Sequence, residues 1–275
     1  MQINNVQLDQ SPYINLNQSL NRISSGKEIT SAADDASSLA ISDKLRTEAS
    51  GISQSINNIN SGLASLQIAD KSISEQSNIL DTVKEKLLQA STDTTSQEGR
   101  EQILTEIKDL LQNFDDIAAS TNYNEQTLLQ NASDDKSATE GQQFQAGTSS
   151  DDIIQTPSIQ SNTVGVGLEN LLNQSPGSFD SSTARAYLGD VDNALTKLND
   201  YRGDLGSTQN QLQSSGSSLI SQYTSTRDAV STISDLNYTA EITNFNKQNI
   251  LAQIGAYGVA QSANINQNIV TRLLT

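Results

Sequence analysis

The stretch LRTEASGISQSINNINSGLASLQIADKSISEQSNILDTVKEKLLQA, residues 45–90, sets its apolar side chains at alternating spacings of four and three. The seam runs Leu45, Ala49, Ile52, Ile56, Ile59, Leu63, Leu66, slips by three through Ala69 to Ile73, and resumes at Leu80, Val83, Leu87 and Ala90. Residues 188–233 repeat the pattern as Leu188, Val191, Leu195, Leu198, Leu205, Leu212, Leu219, Tyr223, Val230 and Ile233, with Arg202, Gln209 and Gly216 at weaker positions. A seven-residue repeat stays in line only when helices wind around a partner. At roughly 1.5 Å rise per residue each tract spans about 70 Å, too long for a compact globule. The two tracts flank the only Gly-rich region, so the pattern predicts a long antiparallel helical rod closed by a loop at one end.

A third helix joins them. Thr92 to Gly99 is a turn without apolar residues, after which Ile103, Ile107, Leu110, Phe114 and Ile117 repeat at four, three, four, three, predicting a helix from Glu98 to Thr121. The short connection makes it an antiparallel neighbour of the first tract. Between Asn131 and Asp180 the periodicity is lost. Phe144 with Ala146, Ile153 with Ile154, and Thr163, Val164 and Val166 predict two or three short strands in hairpins, with a flexible linker as the competing reading.

At the start of the chain, Ser11 before Pro12 is a helix-start signature, and Gly26 suits the stop of a helix over Pro12 to Ser24. The last segment, Leu236 to Leu274, is apolar over so wide an arc that it must be covered on several sides. A helix of about 13 residues is too short to cover one of nearly 40. The remaining cover must come from other chains, which predicts a polymer.

Composition removes chemistry more than it suggests it. The chain of 275 residues has no Cys, His or Trp, 16 basic and 32 acidic residues, and a formal charge of −16. Without histidine or cysteine, most catalytic constellations and most zinc sites are excluded, so neither enzymatic activity nor a cofactor is expected. The acidic balance argues against nucleic-acid binding, which needs a basic surface. No run of about 18 apolar residues predicts membrane insertion, and residues 1–10 carry no basic residue of a cleaved signal. Freedom from cysteine suits a chain threaded unfolded through a narrow exporter.

Two motifs then identify a family. Ile23-Ser24-Ser25-Gly26, Ala32-Ala33-Asp34-Asp35-Ala36-Ser37 and Leu39-Ala40-Ile41 closely resemble the N-terminal signature of bacterial flagellins. Ala240-Glu241-Ile242, Asn249-Ile250-Leu251-Ala252-Gln253 and Val270-Thr271-Arg272-Leu273-Leu274 resemble their C-terminal signature. The resemblance spans Ile3 to Tyr123 and Ala184 to Leu274. It implies a mainly α fold, a coiled-coil-like antiparallel rod with a small β-hairpin region, and terminal helices that form an inner core layer. On this reading residues 1–30 and 235–275 belong to the inner core, 31–130 and 181–234 are the rod helices, and 131–180 is the hairpin and loop region. It further implies a secreted subunit that self-assembles into the extracellular filament used for motility. Export would be unfolded, through the flagellar type III apparatus. The implied partners are other copies of the chain, an export chaperone, the filament cap and hook-associated proteins. A hook-filament junction protein is the runner-up within this fold, and a coiled-coil translocator or adhesin shares the heptads without both terminal signatures. A metalloprotease insert is excluded, since its His-Glu-x-x-His motif needs histidine.

Site residues follow from the resemblance. Intersubunit core packing falls to Ile3, Val6, Leu8, Leu16, Leu20, Ile242, Phe245, Ile250, Leu251, Ile254, Tyr257, Val259, Ile265, Ile269, Leu273 and Leu274. Asp81, Thr82, Val83, Lys84, Glu85, Lys86, Leu87, Leu88 and Gln89, with Asn113, align with the region that Toll-like receptor 5 recognises in stimulatory flagellins. Those flagellins carry arginine, leucine and glutamate where this chain has Thr82, Lys86 and Asn113, which implies a weak agonist. The plain alternative is a solvated helix face. Ser133, Ser137, Thr139, Ser149, Thr156, Ser158, Ser161, Ser178 and Ser181 are candidate O-glycosylation sites on the filament exterior. Asp34 and Asp35 read as helix-start caps and intersubunit polar contacts rather than metal ligands. Arg202, Gln209 and Gln76 read as register-fixing polar residues of the seam, with repacking as the competing account. The stretch before Ile23 is shorter than usual, and residues 1–10 are expected to be extended.

Overall fold

The computed structural model describes residues 9–130 and 135–274. The chain is mainly helical and falls into two compact units. A terminal unit combines residues up to Ser50 with those from Tyr223 onward, and a central unit comprises Gly51–Gln222.

In the terminal unit α1 covers Ser11–Ser25 and α7 covers Tyr238–Leu274. The cap of α1 differs from expectation. Ser11 is its first residue, and the Asp9 carboxylate accepts the Ser11 N–H at 3.0 Å. Aspartate serves as well as serine here, because any short side chain with an acceptor oxygen can meet a free first-turn amide. At the other end Gly26 takes φ 67°, and its N–H returns to the Arg22 carbonyl at 2.9 Å. That left-handed conformation is the one the Gly26 stop requires. Asp35 starts α2, Ala36–Ala90, by accepting the N–H groups of Ser37 and Ser38. Asp34 instead gathers Thr30 and Ser31 and faces Arg22 at 3.6 Å. The expectation of an extended start lies almost wholly on residues 1–8, outside the described residues; Asp9 and Gln10 carry no regular structure.

The central unit is built on residues of α2, on α3 (Gln97–Ser120) and on α6 (Ser181–Ser234). Their cross-links fix the directions. Lys84 pairs with Asp192, Arg202 Nε donates to Asp70 at 2.9 Å, and Gly216 abuts Ile59, so α2 and α6 run antiparallel. Lys86 with Glu106 and Gln76 with Phe114 make α2 and α3 antiparallel as well. Ile52, Ile59, Leu66, Ile73, Leu80, Val83 and Leu87 of α2 are buried, as are Val191, Leu198, Leu205 and Leu212 of α6. These positions pack as the heptads predict, whereas Leu45, Ile56 and Leu63 of α2 and Leu188, Leu195, Tyr223, Val230 and Ile233 of α6 are only half-buried. Each such residue contributes about 1.5–3 kcal/mol when fully buried.

On α3 the buried stripe is shifted. Leu104, Leu111 and Ala118 join Ile103, Ile107 and Phe114 in the core, whereas Leu110 and Ile117 are only half-buried. The reason is a second neighbour. The buried Asp115 accepts the Thr163 N–H at 2.6 Å and its hydroxyl at 2.8 Å, which draws the 160–166 segment onto α3.

That segment corrects one expectation. Thr163, Val164 and Val166 form not a strand but a helical turn, α4 (Thr163–Val166). The Asn162 side chain caps the Gly165 N–H at 2.8 Å, and Gly167 at φ 87° ends the turn. A second turn, α5 (Glu169–Leu172), and a 3-10 turn at Pro176–Ser178 follow. The other apolar pairs do form a hairpin. Antiparallel β3 (Gln143–Gln145) and β4 (Ile153–Gln155) pair Phe144 with Ile154. A hairpin unforeseen in the sequence precedes it: β1 (Asn122–Tyr123) and β2 (Gln126–Thr127), joined through Asn124 at φ 51° and Glu125 at φ 66°. Two positive φ angles in a two-residue loop usually call for Asn-Gly, so Glu125 concealed the turn.

Candidate functional site

The apolar surface of the terminal unit is unevenly covered. α1 packs antiparallel on α7, with Ser19 and Ala252 buried and the Tyr13 hydroxyl donating to the Ala252 carbonyl at 3.4 Å. Small side chains at the contact let the two backbones approach closely. The segment after Gly26 is zipped to the connection between α6 and α7: Glu28 N–H donates to Ser234 and Leu236 N–H to the Gly26 carbonyl.

α1 covers only part of α7. Tyr238, Ile242, Ile250, Leu251, Ile254, Tyr257, Ile265, Ile269 and Val270 are exposed, Tyr257 at 77%. On α1, Tyr13, Ile14 and Leu20 are exposed too, while Leu16, Phe245 and Val259 are half-buried. Ile3, Val6 and Leu8 lie outside the described residues, as do the side chains of Leu273 and Leu274. Tyr13, Ile14 and Val270 belong to the same surface and were not among the residues named from the motifs; their apolar character at helical spacing was the available signal.

Burying what remains exposed on α7 would release about 1 kcal/mol per large side chain, on the order of 10 kcal/mol for the nine, before the entropy of association. Charge is arranged to permit it. Residues 51–222 hold 9 basic and 23 acidic residues, a net −14, whereas the rest holds 7 and 9, a net −2. The central unit thus carries most of the self-repelling charge, and the terminal unit little. Between Lys247 and Arg272 there is no charged residue at all.

In the central unit, Lys84 and Lys86 of the receptor-aligned stretch are tied up with Asp192 and Glu106. The Thr82 hydroxyl returns to the Asn78 carbonyl at 3.0 Å. Val83 and Leu87 are buried in the seam, while Asp81, Glu85, Leu88, Gln89 and Asn113 are exposed. Among the glycosylation candidates, Thr139, Thr156 and Ser161 are corrected: all three are buried. The Thr139 hydroxyl donates to Ile159 at 2.9 Å and the Thr156 hydroxyl accepts the Gln142 N–H at 2.7 Å. Neither can reach a transferase without unfolding its surroundings. Ser137, Ser149, Ser158 and Ser178 are exposed, Ser181 is half-buried with its hydroxyl on Asp93, and Ser133 lies outside the described residues. Among the described residues no cluster of acidic side chains could hold a metal ion, and no helix is long and apolar enough to cross a membrane.

Known proteins share this layout. Residues 1–134 match the bacterial flagellin N-terminal helical region, and residues 188–274 match the bacterial flagellin C-terminal helical region. The flagellar filament 31.3 kDa core protein of Treponema maltophilum is 30% identical over 259 residues, covering 92% of this chain and 91% of its own. The chain belongs to the bacterial flagellin family. Flagellin FlaB1 of Treponema pallidum is similar at 29% identity, covering 94% of this flagellin and 93% of that one. Flagellin A of Helicobacter mustelae reaches 44% identity over 141 residues, but these are only 27% of its length. Among solved structures, one described as a flagellar hook-associated protein from Vibrio parahaemolyticus superimposes with a TM-score of 0.59 at 13% identity. It covers 74% of this chain and 100% of that one, a likeness of fold alone.

Proposed function

We infer that this flagellin is a structural subunit that polymerises into the filament of the bacterial flagellum. The observation that carries the reading is the exposed apolar face of α7, too long for α1 to cover, on a chain whose relatives are filament proteins along nearly their whole length. In the filament, residues 1–30 and 235–275 supply the inner core layer, and residues 31–130, 131–180 and 181–234 the layer around it. The test is growth of purified full-chain monomer on sheared filament seeds. Extension of the seeds into helical filaments is expected, and monomer that neither extends seeds nor adds to itself at high concentration overturns the reading. Growth as a closed ring would instead indicate the hook-filament junction protein, the alternative sharing this fold. Since the central unit carries −14, the critical concentration should fall with ionic strength, most with sulfate.

Secretion follows from this role: the chain leaves unfolded through the flagellar type III apparatus, with an export chaperone covering the C-terminal segment until then, and the filament cap and hook-associated proteins meet it outside. Toll-like receptor 5 should be poorly activated. Thr82 offers no bidentate donor, and Lys86 is already paired with Glu106. A receptor reporter assay on dissociated monomer decides this, with robust activation at low concentration as the refuting outcome. Glycans, if present on native filaments, belong on Ser137, Ser149, Ser158 or Ser178, and intact-mass and peptide mapping would locate them.

A further inference from the structure

Three buried polar atoms of the terminal unit have no hydrogen-bond partner: Arg22 Nε, Ser42 Oγ and Glu241 Oε1. Glu241 is the most demanding of these, a carboxylate in a residue only 8% exposed. A carboxylate oxygen buried without a partner is unfavourable, so such atoms are usually found paired. Arg22 is the sole charged residue of α1, and it is poorly satisfied too. Its Nη2 stands 3.6 Å from Asp34 Oδ1, and its Nε is buried and unbonded.

The register of the helix pair sets the two residues at one level of the contact. The Tyr13 hydroxyl meets Ala252, and Tyr238 Oη lies against Gly26. Arg22 lies four residues before Gly26 on α1, and Glu241 three residues after Tyr238 on the antiparallel α7. Each step is about one helical turn, so both reach the same level of the contact. A guanidinium presents five donors in a planar fork, enough for two carboxylates at once.

We propose that Arg22 bridges Asp34 and Glu241, and that this ion triad latches α1 onto α7 in the form that polymerises. The proposal rests on the filament reading. Its chemical sense is that α1 adds apolar residues to the contact but only one charged side chain able to fix its register on α7 by an ion pair. Small residues such as Ser19 and Ala252 allow helices to slide; a buried charge pair does not.

The test is a double-mutant cycle on full-chain protein: Arg22→Gln, Glu241→Gln, and the double variant carrying both. Each single variant should raise the critical concentration for seed extension roughly tenfold, and the double variant should be little worse than Arg22→Gln alone, because the pair is already broken there. A Glu241→Gln variant that assembles within about twofold of the parent, or a double variant whose loss is the product of the two single losses, overturns the latch. Hydrogen exchange of α1 in the monomer supplies an independent readout. Protection should fall in each single variant and fall little further in the double, whereas equal protection in all four proteins overturns the proposal. Should the parent itself fail to extend seeds, the filament reading falls, and the monomer measurement still decides the latch.

Discussion

Replacing Gln76 by leucine separates two accounts of the long seam. By heptad logic alone the substitution restores an apolar residue to the stripe and should stabilise the rod helices. The structure argues the reverse. Gln76 is fully buried, and its Nε2 donates to the Phe114 carbonyl at 3.0 Å and to the Ser161 carbonyl at 2.8 Å. Phe114 belongs to α3 and Ser161 to the segment preceding α4, so one amide ties three pieces of chain together. Leucine removes two hydrogen bonds, about 1 kcal/mol each, and leaves the Ser161 carbonyl buried without that donor, about 1–3 kcal/mol more. Relief of the unpartnered Gln76 Oε1 and the gain of apolar burial offset about 1–2 kcal/mol. The net expectation is a loss of about 2 kcal/mol. Gln76→Glu should cost more, since a carboxylate would face two carbonyl oxygens. Burial would raise its pKa in the folded state, so its deficit should shrink as the pH falls and a proton restores one donor. Urea unfolding of monomer below its critical concentration measures both, with hydrogen exchange in residues 51–222 reporting the central unit. A Gln76→Leu variant as stable as the parent, or more so, refutes this reasoning.

The β1–β2 turn gives a prediction of opposite sign: Glu125→Gly should stabilise the central unit by about 0.5–1 kcal/mol in the same unfolding assay, because glycine accepts the φ of 66° without strain. Gly141→Ala should destabilise by more than about 3 kcal/mol, since its Cβ would fall 1.9 Å from the Thr156 carbonyl oxygen. Gly203→Ala, with nothing within 4 Å, should stabilise α6 by about 1 kcal/mol, and equal effects of the two glycine changes would contradict the packing described. Acid unfolding should also resolve two kinds of carboxylate. Hydrogen bonds from Thr30 and Ser31 hold Asp34 down to about 2, and Thr183 and Ser182 do the same for Asp180. Both lie below the ordinary 3.8, so their stabilisation is complete above that value and fades as the pH falls toward about 2. Burial pushes Asp115 the other way, so its contribution weakens the fold as the pH rises through the ordinary carboxylate range. Asp34→Asn should flatten the acid limb of the stability curve, and Asp115→Asn should not.

The sequence by itself determined the long helices, their antiparallel pairing and the need for partners. Ile52, Ile59, Leu66 and Leu80 on one tract and Val191, Leu198 and Leu212 on the other carry a period that only a wound helix can bury, and period is a local property. The excess apolar surface of Ile250, Ile254 and Tyr257 was legible for the same reason, as surface too broad for the short α1. What only tertiary structure decided lies where long-range contacts override local preference. Thr163 and Val166 are β-favouring residues, yet the buried Asp115 on α3 and the cap of Asn162 hold them in a helical turn. Leu104 and Leu111 displace Leu110 and Ile117 in the core because α3 has a second neighbour that no heptad count reveals. Burial likewise removed Thr139, Thr156 and Ser161 from the accessible hydroxyls, since exposure depends on what folds over a residue. The alignment of Arg22 with Glu241 belongs to this second class: residues more than 200 positions apart come to one level of the α1–α7 contact only through the register of two helices, and that register is set by packing.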